Sequence, residues 1–222
     1  MTGRNTINPG EPRYSYISRN LPHKFSPDRA VFITYRVKFT LPAIVVTELN
    51  QRKTEWYQKL QTIAESEKAE YLRTKDARVF LWFDELISKA DGVPKTLQRK
   101  DITDIIADSF RHFDGLRYHL LAYCIMPNHV HVLIDPAIHE DGDIYPISHV
   151  TYTWKRFTAT AINRVLTKSG SFWQQESYDH LIRDADEFDR VLGYLIDNPV
   201  KAGLVNDWTE WSGTWVRADL SR

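Results

Sequence analysis

Residues 117–134 read RYHLLAYCIMPNHVHVLI, and the fold turns on whether this run is one element or two. Arg117–Ile125 and His129–Ile134 are rich in aromatic and β-branched residues, and Met126-Pro127-Asn128 between them supplies turn formers, so the run reads as a β-hairpin. Side chains two apart on a strand share a face. His129 and His131 therefore point one way, while Val130, Val132 and Ile134 point the other way into a core.

Outward from the hairpin, the period changes to that of helices. Upstream, Asp101 reads as an N-cap, and Ile102, Ile105, Ile106, Phe110 and Phe113 form an apolar stripe that Gly115 ends. Before it, Ala43 to about Ala90 is charged and helix-forming, with Glu48, Trp56, Leu60 and Ile63 and then Phe80, Phe83, Leu86 and Ile87 at helical spacing, which suggests an inserted helical pair. Ala30–Thr40, bounded by Pro27 and Pro42, reads as the first strand. Downstream, Val150, Trp154, Phe157, Ala161 and Val165 predict an amphipathic helix over Ile147–Leu166, with Lys155, Arg156 and Arg164 outside the stripe. Phe172–Arg183 reads as extended, and Asp184, Asp186 and Glu187 favour the start of a last helix ending near Pro199. The order of elements gives an α+β fold, helices packed on an antiparallel sheet.

At 222 residues the chain is long enough for one domain with an insertion. Its 42% hydrophobic and 26% charged residues exclude a disordered or fibrous class. No apolar run approaches the roughly 18 residues of a membrane span, and Met1–Gly10 lacks the design of a secretory signal, so the expected compartment is the cytoplasm. Cys124 is the only cysteine, which excludes an intrachain disulfide and a cysteine zinc cage. The net charge is zero, but its distribution is uneven. Met1–Thr40 holds seven Lys/Arg against Glu11 and Asp28, and Ile147–Gly170 holds Lys155, Arg156, Arg164 and Lys168 with no acid. Such segments suit a phosphate backbone, and equally a solvated face.

Two imidazoles on one strand face can meet one metal ion, although with eight histidines in the chain a lone H-x-H is an unspecific motif, compatible with a structural pair. Tyr194 and Asn198, four apart on the last predicted helix, share a helical face. Tyrosine is a reasonable nucleophile toward a metal-polarised phosphate, and the asparagine oxygen suits a hard ion. Taken singly, Tyr194 also reads as a half-buried helix aromatic, and Asn198 as a residue ending a helix before Pro199.

Three ordered blocks bear on the choice. Tyr123-Cys124-Ile125-Met126-Pro127-Asn128-His129-Val130-His131-Val132-Leu133-Ile134, then Phe172-Trp173-Gln174 with Tyr178-Asp179-His180-Leu181-Ile182-Arg183, then Tyr194-Leu195-Ile196-Asp197-Asn198-Pro199-Val200-Lys201-Ala202-Gly203-Leu204-Val205 closely resemble, in that order, the blocks of REP-associated tyrosine transposases. These belong to the one-tyrosine HUH transposase superfamily, and the resemblance extends from about Arg19 to Trp211. It implies a ferredoxin-like core in which His129, His131 and Asn198 hold Mg²⁺ or Mn²⁺ and Tyr194 attacks single-stranded DNA, leaving a 5′-phosphotyrosine. Tyr178, beside Asp179 and His180, is the rival nucleophile; four residues on lies Ile182, which cannot ligate a metal.

The expected organisation is a basic arm over 1–29, a transposase-like catalytic domain over 30–210 with its helical insertion at about 43–97, and a tail over 211–222. Lys155, Arg156, Lys201, Arg19 and Lys24 are candidate DNA contacts, and Trp154 or Tyr152 a stacking surface for an unpaired base. The expected partner is single-stranded or hairpin DNA, bound by a monomer or homodimer. Two other functions fit the same residues: a module that holds hairpin DNA without cutting it, and a metallohydrolase in which water attacks.

Overall fold

The structure, a computed structural model, describes residues 30–137 and 145–220. The arm over 1–29 lies outside the described residues, and Arg19 and Lys24 with it. The described chain divides into two compact units, one of residues 40–91 and the other of residues 30–39 and 92–220.

The smaller unit is the expected helical pair, α1 (Ala43–Thr62) and α2 (Glu65–Lys89). Trp56 of α1 meets Trp82 of α2 edge to face at 6.0 Å, an arrangement that puts the positive edge of one indole on the negative face of the other.

The larger unit is built on a five-stranded antiparallel sheet. Its strands are β1 (Val31–Arg36), β2 (Tyr118–Ile125), β3 (His129–Pro136), β4 (Tyr178–Leu181) and β5 (Thr214–Val216), in the spatial order β4-β1-β3-β2-β5. The helices are α3 (Lys100–Arg111), α4 (Ile147–Val165) and α5 (Ala185–Lys201). β1-α3-β2-β3-α4-β4 with order β4-β1-β3-β2 is the ferredoxin-like arrangement, with α5 and β5 appended. No helix among the described residues is long and apolar enough to cross a membrane.

The pleat divides the sheet into two faces. Val31, Ile33, Tyr35 and Val37 of the first strand region and Val130, Val132 and Ile134 of β3 pack with Ile102, Ile106 and Phe110 of α3 and Val150, Trp154 and Ile162 of α4 in one apolar core. Two of the polar groups this core buries partner each other and the backbone: Trp154 Nε1 donates to Tyr118 Oη at 2.9 Å, and Tyr118 Oη donates to the Phe110 carbonyl at 2.7 Å. Phe32, Thr34 and Arg36, like His129 and His131, alternate with these residues and take the other face.

Several expected boundaries move, each for a local reason. The first strand ends at Arg36, after which Val37 and Lys38 bond to the Asn128 and Phe172 carbonyls instead of continuing the ladder. Asp101 is not the N-cap of α3. Arg99 holds that place, and the Asp101 carboxylate, its pKa lowered by the Arg99 guanidinium, accepts the Ile102 N–H within the first turn. Phe157, expected in the buried stripe of α4, is exposed, because the stripe follows Val150, Trp154, Thr158 and Ile162, and Val165, the last residue of the helix, is exposed as well. Trp154, a candidate stacking surface, is instead 1% exposed and sits edge-on to Phe110 and Tyr118.

The last helix runs through Pro199 to Lys201 rather than ending before it. Proline forfeits one hydrogen bond there, and the helix closes two residues later in a Schellman motif: Leu204 N–H donates to the Pro199 carbonyl and Gly203 N–H to that of Val200, with Gly203 at φ 68°. Thr214–Val216, expected in the tail, pairs with β2 as the fifth strand. At Gly213 a Cβ would come within 2.6 Å of the Ile125 carbonyl, so only glycine allows the close approach that starts this strand.

Candidate active site

His129 and His131 are fully buried on the sheet face turned away from the α3–α4 core. Each ring is oriented through Nδ1. His129 Nδ1 lies 2.5 Å from Asn128 Oδ1, and His131 Nδ1 lies 2.7 Å from Thr34 Oγ1 on the neighbouring strand. An amide oxygen only accepts, so His129 carries its proton on Nδ1 and presents the Nε2 lone pair. The two Nε2 atoms face each other at 3.0 Å, with the rings edge to face at 4.7 Å. Two ligand atoms in adjacent positions of an octahedral ion, with bonds of about 2.1 Å, are separated by about 3.0 Å. The pair can hold a metal ion, and imidazole nitrogens oriented through their other nitrogen are what metal ligation requires.

α5 crosses the same face. Asp184 caps its N-terminus by accepting the Glu187 N–H, and the helix buries Leu192, Leu195, Asn198 and Pro199. Tyr194, on the partly exposed flank of that stripe, sets its ring edge-on to His131 at 5.6 Å and to Phe32 at 6.2 Å. Lys201 lies over the tyrosine ring at 5.6 Å and pairs with Asp197 at 3.6 Å. Asn198, one turn beyond Tyr194, is 6% exposed, and its amide donates to the Tyr194 carbonyl at 3.3 Å.

Tyr178 is on β4, directly across from Thr34. It shares the Phe32 ring with Tyr194, at 6.5 Å, and stacks on His180 at 6.3 Å. Because β1 intervenes between β4 and β3, Tyr178 stands two strand spacings, about 10 Å, from the histidine strand. Tyr194 and the histidines are thus brought together, and Tyr178 borders the same face farther off.

A charged latch fixes the start of α5. The Glu187 carboxylate, 6% exposed, accepts bonds from the Arg183 guanidinium at 2.6 and 2.9 Å, from the Arg183 backbone N–H at 2.8 Å and from His180 Nε2 at 3.1 Å. Arg183 foremost, against the opposing cost of burial, brings its pKa down to about 2. β4, through His180, is thereby tied to the first turn of the helix that carries Tyr194.

The expected DNA contacts separate. Lys155 turns inward: its Nζ donates to the carbonyls of Gln174, Gln175 and Glu176 at 3.0–3.2 Å and to Ser177 Oγ at 2.6 Å, and lies 5.1 Å from the Tyr35 ring centre. Burial lowers its pKa to about 8. Together with Trp173 Nε1, which donates to Thr158 Oγ1 at 2.8 Å, it docks the segment leading into β4 onto α4. Arg156, Tyr152 and Lys201 are exposed. Sequence reasoning did not single out Thr34, and it read Asn128 only as a turn residue and Glu187 only as an acid at a helix start. Their signals, a polar residue alternating with Phe32 and Ile33, the residue before the histidine strand, and an acid three past an N-cap, acquire meaning only once strand register is known.

No family model matches the chain. A Haemophilus influenzae protein named a REP-associated tyrosine transposase is 31% identical over 111 residues, which is 46% of this chain and 61% of that relative. The chain therefore spans about three fifths of the length of the curated relative it matches. A solved structure of a REP-associated tyrosine transposase bound to a REP hairpin compares at a TM-score of 0.45 and 16% identity, over 84% of this chain and 75% of that one. The chain is thus similar in sequence to the REP-associated tyrosine transposases, the family that its three ordered blocks resemble.

Proposed function

We propose that this chain is a metal-dependent, tyrosine-nucleophile endonuclease and strand transferase acting on single-stranded hairpin DNA. The observation that carries the reading is the placement of Tyr194 edge-on to His131, whose Nε2 meets that of His129 at 3.0 Å. The donor set fits a divalent ion, Mg²⁺ or Mn²⁺, with His129 and His131 supplying nitrogen and Asn198, one turn beyond the tyrosine, its amide oxygen. Such an ion, when bound, polarises the oxygens of the scissile phosphate.

The chain's own residues do the rest. The buried face of α5 and the Glu187 latch hold Tyr194 beside the histidines. Lys201 lies over its ring. The phenolate oxygen attacks phosphorus, forming the Tyr194 O–P bond and breaking the P–O3′ bond. The products are a 5′-phosphotyrosine and a 3′-hydroxyl that takes up the proton the tyrosine gave up. Attack by another 3′-hydroxyl reverses the step and joins strands, because the phosphotyrosine conserves the energy of the phosphodiester. A pure binding module has no use for a nucleophile placed against a pair of convergent imidazoles.

The test is incubation with labelled hairpin DNA from repeats flanking the gene, in Mg²⁺ or Mn²⁺, followed by a denaturing protein gel. Wild type and Tyr178→Phe should give a shifted covalent band, and Tyr194→Phe none. A band lost in Tyr178→Phe alone would move the nucleophile to β4. Hairpin binding without any adduct would replace this reading with that of a binding module.

A further inference from the structure

The outer face of α4 is not explained by the core. Its sheet-facing stripe is Ile147, Val150, Trp154, Thr158 and Ile162. At 100° per residue, Tyr152 and Arg156 fall opposite that stripe, and Phe157 and Arg164 lie on its flank beside Val150, with Arg156 between the two aromatic residues. Tyr152 and Phe157 leave 58% and 57% of their surface in water. No acid occurs from Ile147 to Gly170. With Lys155 engaged inside by the Gln174, Gln175 and Glu176 carbonyls and Ser177 Oγ, the charge of this outer face comes from Arg156, Arg164 and Lys168.

We propose that this outer face of α4 is a docking surface for an unpaired nucleic-acid strand, with bases stacking on Tyr152 and Phe157 and phosphates bound by Arg156, Arg164 and Lys168. It deepens the reading above and rests on it in one respect, that the substrate has unpaired DNA flanking the cut. Exposed rings interleaved with cations and free of acids match a strand in which every base offers a stacking face and every linkage a negative charge. A second copy of the chain is a poorer match, because a two-fold contact would set the same cations against themselves. The surface is separate from the cutting site: α4 packs on the sheet face opposite His129 and His131, so the sheet and a helix of about 10–12 Å diameter lie between. It therefore holds a flank of the substrate rather than the reacting phosphate.

The experiment measures binding of the full chain to a fluorescent 20-nucleotide oligo(dT) across a salt series. Tyr152→Ala with Phe157→Ala should weaken binding about tenfold or more at fixed salt. Arg156→Gln with Arg164→Gln should reduce the slope of log affinity against log salt by about 1.4, the value for two phosphate contacts on a single strand. All four positions are exposed, and both variants should keep the parental melting temperature. Parental affinity and slope in both variants would overturn the proposal. So would a change from dimer to monomer in the aromatic variant with oligo(dT) affinity unaltered, which would make the face an interface between copies. Absence of a covalent adduct in the parent, with oligo(dT) binding still lost in the variants, would remove the nuclease reading and leave this one standing.

Discussion

Replacing Glu187 by glutamine removes one charge at nearly constant shape, and the geometry sets the size of the effect. The carboxylate is 6% exposed and accepts from the Arg183 guanidinium, the Arg183 backbone and His180. Held at a pKa of about 2 rather than 4.5, it favours the folded state by roughly 3 kcal/mol at about 1.4 kcal/mol per tenfold. Arg183 is 47% exposed, so solvent screens part of this, and about 2 kcal/mol is the expected cost of Glu187→Gln at pH 7. For a chain of this length that lowers the melting temperature by roughly 4–8 °C. The folded pKa lies below the unfolded one, so the contribution is complete above about pH 5 and is lost as the pH falls from 4.5 toward 2. Melting curves of both proteins at pH 7, 5, 4 and 3.5 should converge toward the acid end. A difference below about 0.5 kcal/mol at pH 7, or one that does not shrink with acid, would refute the latch.

Other consequences follow from the same geometry. Thr34→Val removes the oxygen partner of His131 Nδ1 and should weaken Mn²⁺ binding about 10- to 100-fold, read by calorimetry, with little change in melting temperature; undiminished affinity would mean that the threonine does not orient the ring. Lys155→Met withdraws the donor shared by the Gln174, Gln175 and Glu176 carbonyls and Ser177 Oγ, and should cost about 2 kcal/mol. Amide exchange should rise over 174–178, and unchanged protection there would show that Trp173 alone docks the segment.

Much of this architecture was legible in the residues themselves. The alternation in 129–134 fixed which side His129 and His131 take, since Val130, Val132 and Ile134 have a core to enter. The acids at 184, 186 and 187 marked the start of α5, and the i, i+4 spacing put Tyr194 and Asn198 on one side of it. Illegible were features that depend on long-range register. Nothing local to Thr34 announces that β1 will lie beside β3 and offer its hydroxyl to His131, 97 residues away. The three residues of β5 are too few for a strand signal, and their pairing depends on the bare backbone of Gly213. Lys155 looked like its neighbour Arg156, because a cage of backbone carbonyls has no signature in side-chain sequence.

The most direct test of the central claim is to digest the covalent protein–DNA product with trypsin and locate the modified tyrosine by mass spectrometry. Tyr194 falls in the fragment Val191–Lys201 and Tyr178 in Ser169–Arg183, so the two candidates separate cleanly. A nucleotide 5′-phosphate on Tyr194 is the predicted result, and one on Tyr178, or on neither, would contradict the account.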